Sequence, residues 1–153
     1  MTTNTLTADA HLPREGANTE QRPIVDVGVG VLFRPDGAFL LTSRPEGKVY
    51  AGYWEFPGGK LEAGETVEQA LARELHEELG IRVDLAEVIR WREQLVDYPH
   101  ALVRLHFCKV MAWQGELTMR EGQSFAWERL PVQVAPVLPG ALPVLQWLGQ
   151  EAG

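Results

Sequence analysis

The chain has one cysteine, Cys108, in 153 residues. A single thiol cannot close an internal disulfide, which is compatible with a reducing cytoplasm. Cys108 sits in the strand-like run LVRLHFCKV, so it is expected to be a small buried hydrophobe rather than a nucleophile. Long apolar runs are missing as well, and none reaches the length needed to cross a bilayer. The opening residues MTTNTLTADAHLPREGANTEQRP have no basic start followed by an apolar core, so no secretory signal is expected. Basic residues are scarce, with 14 Lys and Arg against 21 Asp and Glu and a net charge of -7. That balance argues against electrostatic capture of a nucleic acid polymer. It leaves room for a small nucleotide if metal ions accompany the phosphate chain. Repeats, low-complexity segments and signs of a second domain are all absent.

What remains is ordinary globular composition, 45% hydrophobic and 23% charged. Residues 1 to 22 are polar and are expected to be a disordered tail; residues 23 to 153 are expected to be one domain. The Val-rich alternation over 24 to 34 predicts a strand, Pro35-Asp36-Gly37 a turn, and AFLLTSR a returning strand, together a hairpin. Residues 45 to 65 carry so many glycines and prolines that they are expected to be one long functional loop. A helix is predicted over 66 to 79, with strands near 81 to 95, 101 to 113 and 124 to 130. The apolar ALPVLQWLG predicts a short final helix. Strands, helix, strands, helix imply a mixed sheet with helices packed on it.

Residues 58 to 81, GGKLEAGETVEQALARELHEELGI, carry the most information. Thr66 with Gln69 fits a capping box, and Gly80 fits a left-handed helix stop. Leu71, Leu75 and Leu79 form an apolar stripe. Glu74, Glu77 and Glu78 share a neighbouring face. Glu74 and Glu78 repel at i, i+4, and Arg73 relieves only part of that repulsion. With Glu65 on the adjoining glycine loop, the carboxylates read either as a solvated acidic face or as a site for a hard divalent cation.

The spacing resembles the signature of the Nudix hydrolases. Gly59, Glu65, Arg73, Glu74, Leu75, Glu77, Glu78, Gly80 and Ile81 fill its defined positions. The flank Trp54 to Lys60 and the segment Arg120-Glu121-Gly122-Gln123 resemble the MutT-like branch. The resemblance spans roughly residues 24 to 148. It implies an α/β/α sandwich around a mixed sheet, with the signature as a loop-helix-loop. It also implies hydrolysis of a nucleoside triphosphate to monophosphate and pyrophosphate in nucleotide-pool sanitation. Mg²⁺ is the implied cofactor, with Mn²⁺ as a possible substitute.

The resemblance implies a metal site made by Glu74, Glu77, Glu78, Glu121 and the carbonyl of Gly58. The general base is expected to be Glu121, or else Glu77 or Glu78. Glu65 is expected to orient Arg73 or a ligand, and Arg73 to brace the carboxylates. Arg44, Glu55, Phe56 and Lys60 are expected to bind substrate. Tyr53 and Trp54 are candidates for stacking on a base, although core packing suits Trp54 better. Trp91, Trp113, Trp127 and Trp147 are expected to be structural.

Two departures bear on the substrate. Ala141 stands where oxidised-guanine selectors of this family carry an asparagine, and Ala101 stands roughly where they carry an arginine. An alanine cannot hydrogen-bond a base, so a pyrimidine triphosphate fits as well as an oxidised-guanine one. The alternatives are hydrolysis of another nucleoside diphosphate derivative, such as ADP-ribose, and a catalytically silent nucleotide-binding domain. The chain length favours triphosphates over the first, and retention of every signature glutamate argues against the second. A monomer and a homodimer are equally compatible with the sequence.

Overall fold

The computed structural model describes residues 22 to 152. The expected tail therefore lies outside the described residues, Arg22 excepted. Helix α1 spans Val67–Leu79, and its boundaries follow from local chemistry. The Gln69 N–H donates to Thr66 Oγ1 at 3.1 Å, and the Thr66 N–H donates to Gln69 Oε1 at 2.9 Å. Gly80 ends the helix in the left-handed region at φ 73°, where glycine carries no Cβ penalty. Leu71, Leu75 and Leu79 are fully buried, while Glu74 and Glu78 stay partly exposed beside them.

The strands are β1 (Ile24–Leu32), β2 (Phe39–Ser43), β3 (Trp54–Glu55), β4 (Gly58–Lys60), β5 (Val88–Asp97), β6 (Leu102–Val110) and β7 (Phe125–Glu128). Helix α2 spans Leu142–Ala152. A four-stranded sheet runs in the order β4-β1-β6-β5. It is mixed, because β1 and β6 are parallel while the other two pairs are antiparallel. A second, antiparallel sheet runs β3-β2-β7.

Strand alternation sends neighbouring residues to opposite faces. Leu32 and Leu40 pack with the leucine stripe of α1. Val31, Phe39 and Leu41 pack with Val144 and Leu148 of α2. The sheets therefore lie between two helical layers, as the α/β/α expectation required. Gly30 lets α1 come close to β1, because a Cβ built there would lie 3.3 Å from Leu71.

Three expectations need correction. The hairpin over 24 to 44 shrinks to a tight turn and one bridge, Phe33 with Phe39. Both edges of β1 are taken, by β4 and β6, so β2 turns into the other sheet. The long loop over 45 to 65 contains β3 and β4, whose partners lie elsewhere in the chain. The strand expected near 81 to 95 begins only at Val88, after a 3₁₀ turn at Leu85–Glu87, and runs on to Asp97.

The tryptophans behave structurally. Trp91 meets Trp147 edge-on at 5.8 Å, and Trp113 stacks on Trp127 at 5.9 Å. Cys108 is fully buried, and burial pushes its thiol up to about 11, so it stays protonated and inert. Among the described residues no helix is long and apolar enough to cross a membrane.

Leu71→Ala should cost about 2–5 kcal/mol, because the closely packed β1 leaves the cavity little freedom to collapse. Thr66→Ala removes one cap and should cost about 1 kcal/mol. Urea unfolding of both variants checks the order, and equal losses would contradict this account of the core.

Candidate active site

Arg73 organises the acidic segment. Its Nε and Nη2 donate to the two oxygens of Glu65 at 2.7 and 2.9 Å, and Nη2 also reaches the Lys60 carbonyl at 3.0 Å. Its Nη1 lies 3.3 Å from both Glu74 and Glu77. One guanidinium thus ties the glycine loop, β4 and α1 together. The Arg73 hydrogen bonds, with the Glu62 N–H behind them, hold the Glu65 carboxyl down at about 2. Arg73 is correspondingly raised above its ordinary value.

Among the described residues no cation pairs with Glu78. Burial pushes its carboxyl well above the usual range, and a hydrogen bond with Glu74 and the charges of Glu74, Glu121 and Glu55 push the same way. Glu121 comes from a distant loop that docks on the end of α1. The Arg120 N–H donates to the Glu78 carbonyl at 3.1 Å, and the Thr118 N–H to the Leu79 carbonyl at 2.8 Å. Buried Gln123 accepts from the Glu121 N–H at 3.0 Å and so fixes the turn. Glu77 stays mostly exposed, with Arg73 as its partner.

The glycine pair makes this packing possible. A Cβ on Gly59 would overlap the Glu74 carboxylate, and one on Gly58 would overlap the backbone of Gly28. Gly58 also sits at φ 155°, a conformation that side chains rarely adopt. Among the described residues no three His, Cys, Asp or Glu side chains converge closely enough to enclose an ion unaided. The Arg73 contacts and the Glu74–Glu78 hydrogen bond account for where three of the carboxylates point, Glu74, Glu77 and Glu78. The donor set still fits a hard divalent cation. It consists of carboxylate oxygens, one of them on a partly buried group facing like charges, beside a cradle that only glycine leaves open.

A cavity of about 200 Å³ opens beside this cluster. Its walls include Arg44, Glu55, Phe56, Gly58, Leu138 and Ala141. Gly58 faces the cavity and the next residue packs on Glu74, so the two regions are contiguous. Arg44 Nη1 lies 3.3 Å from both Glu55 oxygens, and its Nε donates to the Val49 carbonyl at 2.6 Å. Burial raises the Glu55 carboxyl, and Arg44 opposes that rise. Lys60 faces an adjoining cavity of about 330 Å³ that shares Arg44 and also holds Gly59, His100 and Ala101. Tyr53 and Trp54 line neither cavity; Tyr53 packs edge-on against Tyr50 at 4.8 Å, and Trp54 packs into the core near α2. Sequence reasoning missed Tyr98, which lines both cavities, and Gln123. The second could have been found, because it closes the segment Arg120 to Gln123 already singled out.

Carboxylates around a glycine cradle lie next to a half-apolar cavity on a sandwich of this topology. The chain belongs to the NUDIX domain family, whose model matches residues 23–148. It is similar to an 8-oxo-dGTP diphosphatase of Haemophilus influenzae, at 42% identity over 69% of this chain and 76% of that protein. It is also similar to a CTP pyrophosphohydrolase of Escherichia coli K12, at 36% identity over 77% of this chain and 87% of that one. Among solved structures it resembles a MutT from work on Aliivibrio salmonicida and Vibrio cholerae. That match has a TM-score of 0.69 and 32% identity, covering 84% of this chain and 99% of that one.

Glu65 yields a pH prediction. Its folded value is depressed, so its contribution is fully present above the unfolded value near 4.5 and is lost as pH falls toward about 2. The melting temperature of the wild type should exceed that of Glu65→Gln at pH 6, and the gap should close between pH 4.5 and 2. A gap that persists unchanged at pH 2 would contradict the assigned pairing.

Proposed function

We propose that this protein is a divalent-cation-dependent nucleoside triphosphate pyrophosphohydrolase that cleans the nucleotide pool. It cuts between the α- and β-phosphates and leaves a nucleoside monophosphate and pyrophosphate. The substrate class is an oxidised-guanine or pyrimidine triphosphate, Mg²⁺ is the working ion, and Mn²⁺ can replace it. The observation that carries this reading is the continuity between the crowded carboxylates and the half-apolar cavity across Gly58 and Gly59. A phosphate chain fits the first region and a base fits the second. The relatives named for 8-oxo-dGTP and CTP support the same reading.

Glu74, Glu77, Glu78, Glu121 and the Gly58 carbonyl would hold the cation. Bound there, it neutralises phosphate oxygens and makes an attacking water more acidic. Arg73 holds Glu74 and Glu77 in place and is itself held by Glu65. The water's proton goes to Glu121, Glu78 or Glu77, all of which belong to the cluster. Arg44 and Lys60 offer positive charge along the path from cluster to cavity, and Phe56 supplies an apolar wall for the base. Ala141 offers the base no hydrogen bond, so selection depends on other groups.

A panel of CTP, dCTP, 8-oxo-dGTP, dGTP, ATP and ADP-ribose with Mg²⁺ tests the proposal. At least one triphosphate should yield monophosphate and pyrophosphate, and EDTA should abolish turnover. Glu78→Gln should lower kcat by about a hundredfold or more. Turnover of ADP-ribose alone, or nucleotide binding without turnover, would overturn the proposal.

A further inference from the structure

The cavity beside Phe56 carries a further polar group, the phenol of Tyr98. Tyr98 follows β5 in a turn closed by its own N–H donating to the Ala101 carbonyl at 2.9 Å. Its phenol crosses toward the segment before α2, and a Cβ built on Gly140 would lie 3.8 Å from the hydroxyl oxygen. Tyr98 thus sets its hydroxyl against Gly140, next to Ala141 on the lining of the first cavity, and it borders the second cavity too. Burial alone raises its pKa, with no charged or hydrogen-bonding neighbour contributing. The phenol is therefore a neutral hydroxyl that can both donate and accept. Among the described residues no hydrogen bond engages this hydroxyl, and on the cavity lining it keeps that capacity for a ligand.

The turn is held from outside. Arg22 Nη1 donates to the Tyr98 carbonyl at 2.9 Å, and Nη2 pairs with the Asp97 carboxylate. Arg22 Nε is buried with no partner, a desolvation cost borne while the other two nitrogens grip residues 97 and 98. The Tyr98 ring also stacks on His100, with centroids 5.6 Å apart. Backbone clamp and ring stacking together fix where the hydroxyl points.

We propose that Tyr98 is a base-reading residue, its hydroxyl hydrogen-bonding the polar edge of the nucleobase from beside Gly140 and Ala141, with Arg22 as its positioning residue. This rests on the nucleoside triphosphate reading of the same site. Glu55 and Arg44 supply further polar contacts in the cavity, so the base is addressed by a carboxylate, a guanidinium and a phenol in place of a carboxamide at position 141. Discrimination between bases then lies in the 97–101 turn.

The test measures kcat and KM for CTP, dCTP, 8-oxo-dGTP, dGTP and ATP with the full chain, Tyr98→Phe and Arg22→Ala. Losing one hydrogen bond to the base should raise KM for the preferred substrate roughly tenfold while kcat stays within about twofold. The preference for that substrate over the poorest one should narrow by a similar factor. Arg22→Ala should shift KM in the same direction. Calorimetry with the matching nucleoside monophosphate should show the same weakening for Tyr98→Phe and gives a readout independent of turnover. An unchanged base preference in Tyr98→Phe, or a fall in kcat with KM untouched, would overturn the assignment of Tyr98 while leaving the proposed reaction intact. A wild type that releases pyrophosphate from no triphosphate would instead sink the proposed reaction and this inference together.

Discussion

Like charges crowded around Glu78 are the constraint on which the rest of this structure depends. Glu74, Glu121 and Glu55 all raise the cost of ionising it, and burial adds to that cost. Arg73 answers only one side of the cluster, through Glu65, Glu74 and Glu77. Carboxylates brought together in this way are relieved either by a proton held between Glu74 and Glu78 or by a cation placed among them. The surrounding architecture keeps them there. Caps fix the register of α1, the glycine pair admits the Glu74 carboxylate, and the docked 118–123 segment delivers Glu121.

The site divides its work between two kinds of surface. The acidic end is built from one helix and its flanking loops within the signature, joined by Glu121 from the docked 118–123 segment. The cavity end draws on β1, β6, the β2–β3 connection and the segment before α2. On the proposed reading, changes at the second end alter which base is accepted without disturbing the first. Ala141 is such a change, buried at the cavity wall with nothing to offer a base. The similarity to proteins named for 8-oxo-dGTP and for CTP fits a shared reaction with a variable base pocket.

Helix α1 was legible in the sequence because its determinants are local. Thr66, Gln69 and Gly80 announce its ends, and the leucine stripe announces its buried face. The four-stranded sheet was not legible in the same way. Strand β1 pairs with β6, whose residues lie nearly eighty positions later, and no local pattern encodes a parallel partner. Strands β3 and β4 are two and three residues long and bracketed by glycine and proline, so the segment read as loop. Helical spacing groups the glutamates of α1, but no local pattern brings in Glu121, whose approach depends on the docking of its loop on the end of α1. Tyr98 carried no signal, because a tyrosine beside a proline at a strand end looks like any loop residue. Only the path of the chain around Gly140 gives it a place in the cavity.

The most direct test is a crystal structure with Mn²⁺ and a non-hydrolysable triphosphate, located by the anomalous signal of the ion. The account predicts Mn²⁺ between Glu74 and Glu78, with the phosphates against Gly58 and Gly59 and the base in the cavity beside Phe56. An ion held by the phosphates alone, with Glu74 and Glu78 turned away from it, would contradict the account.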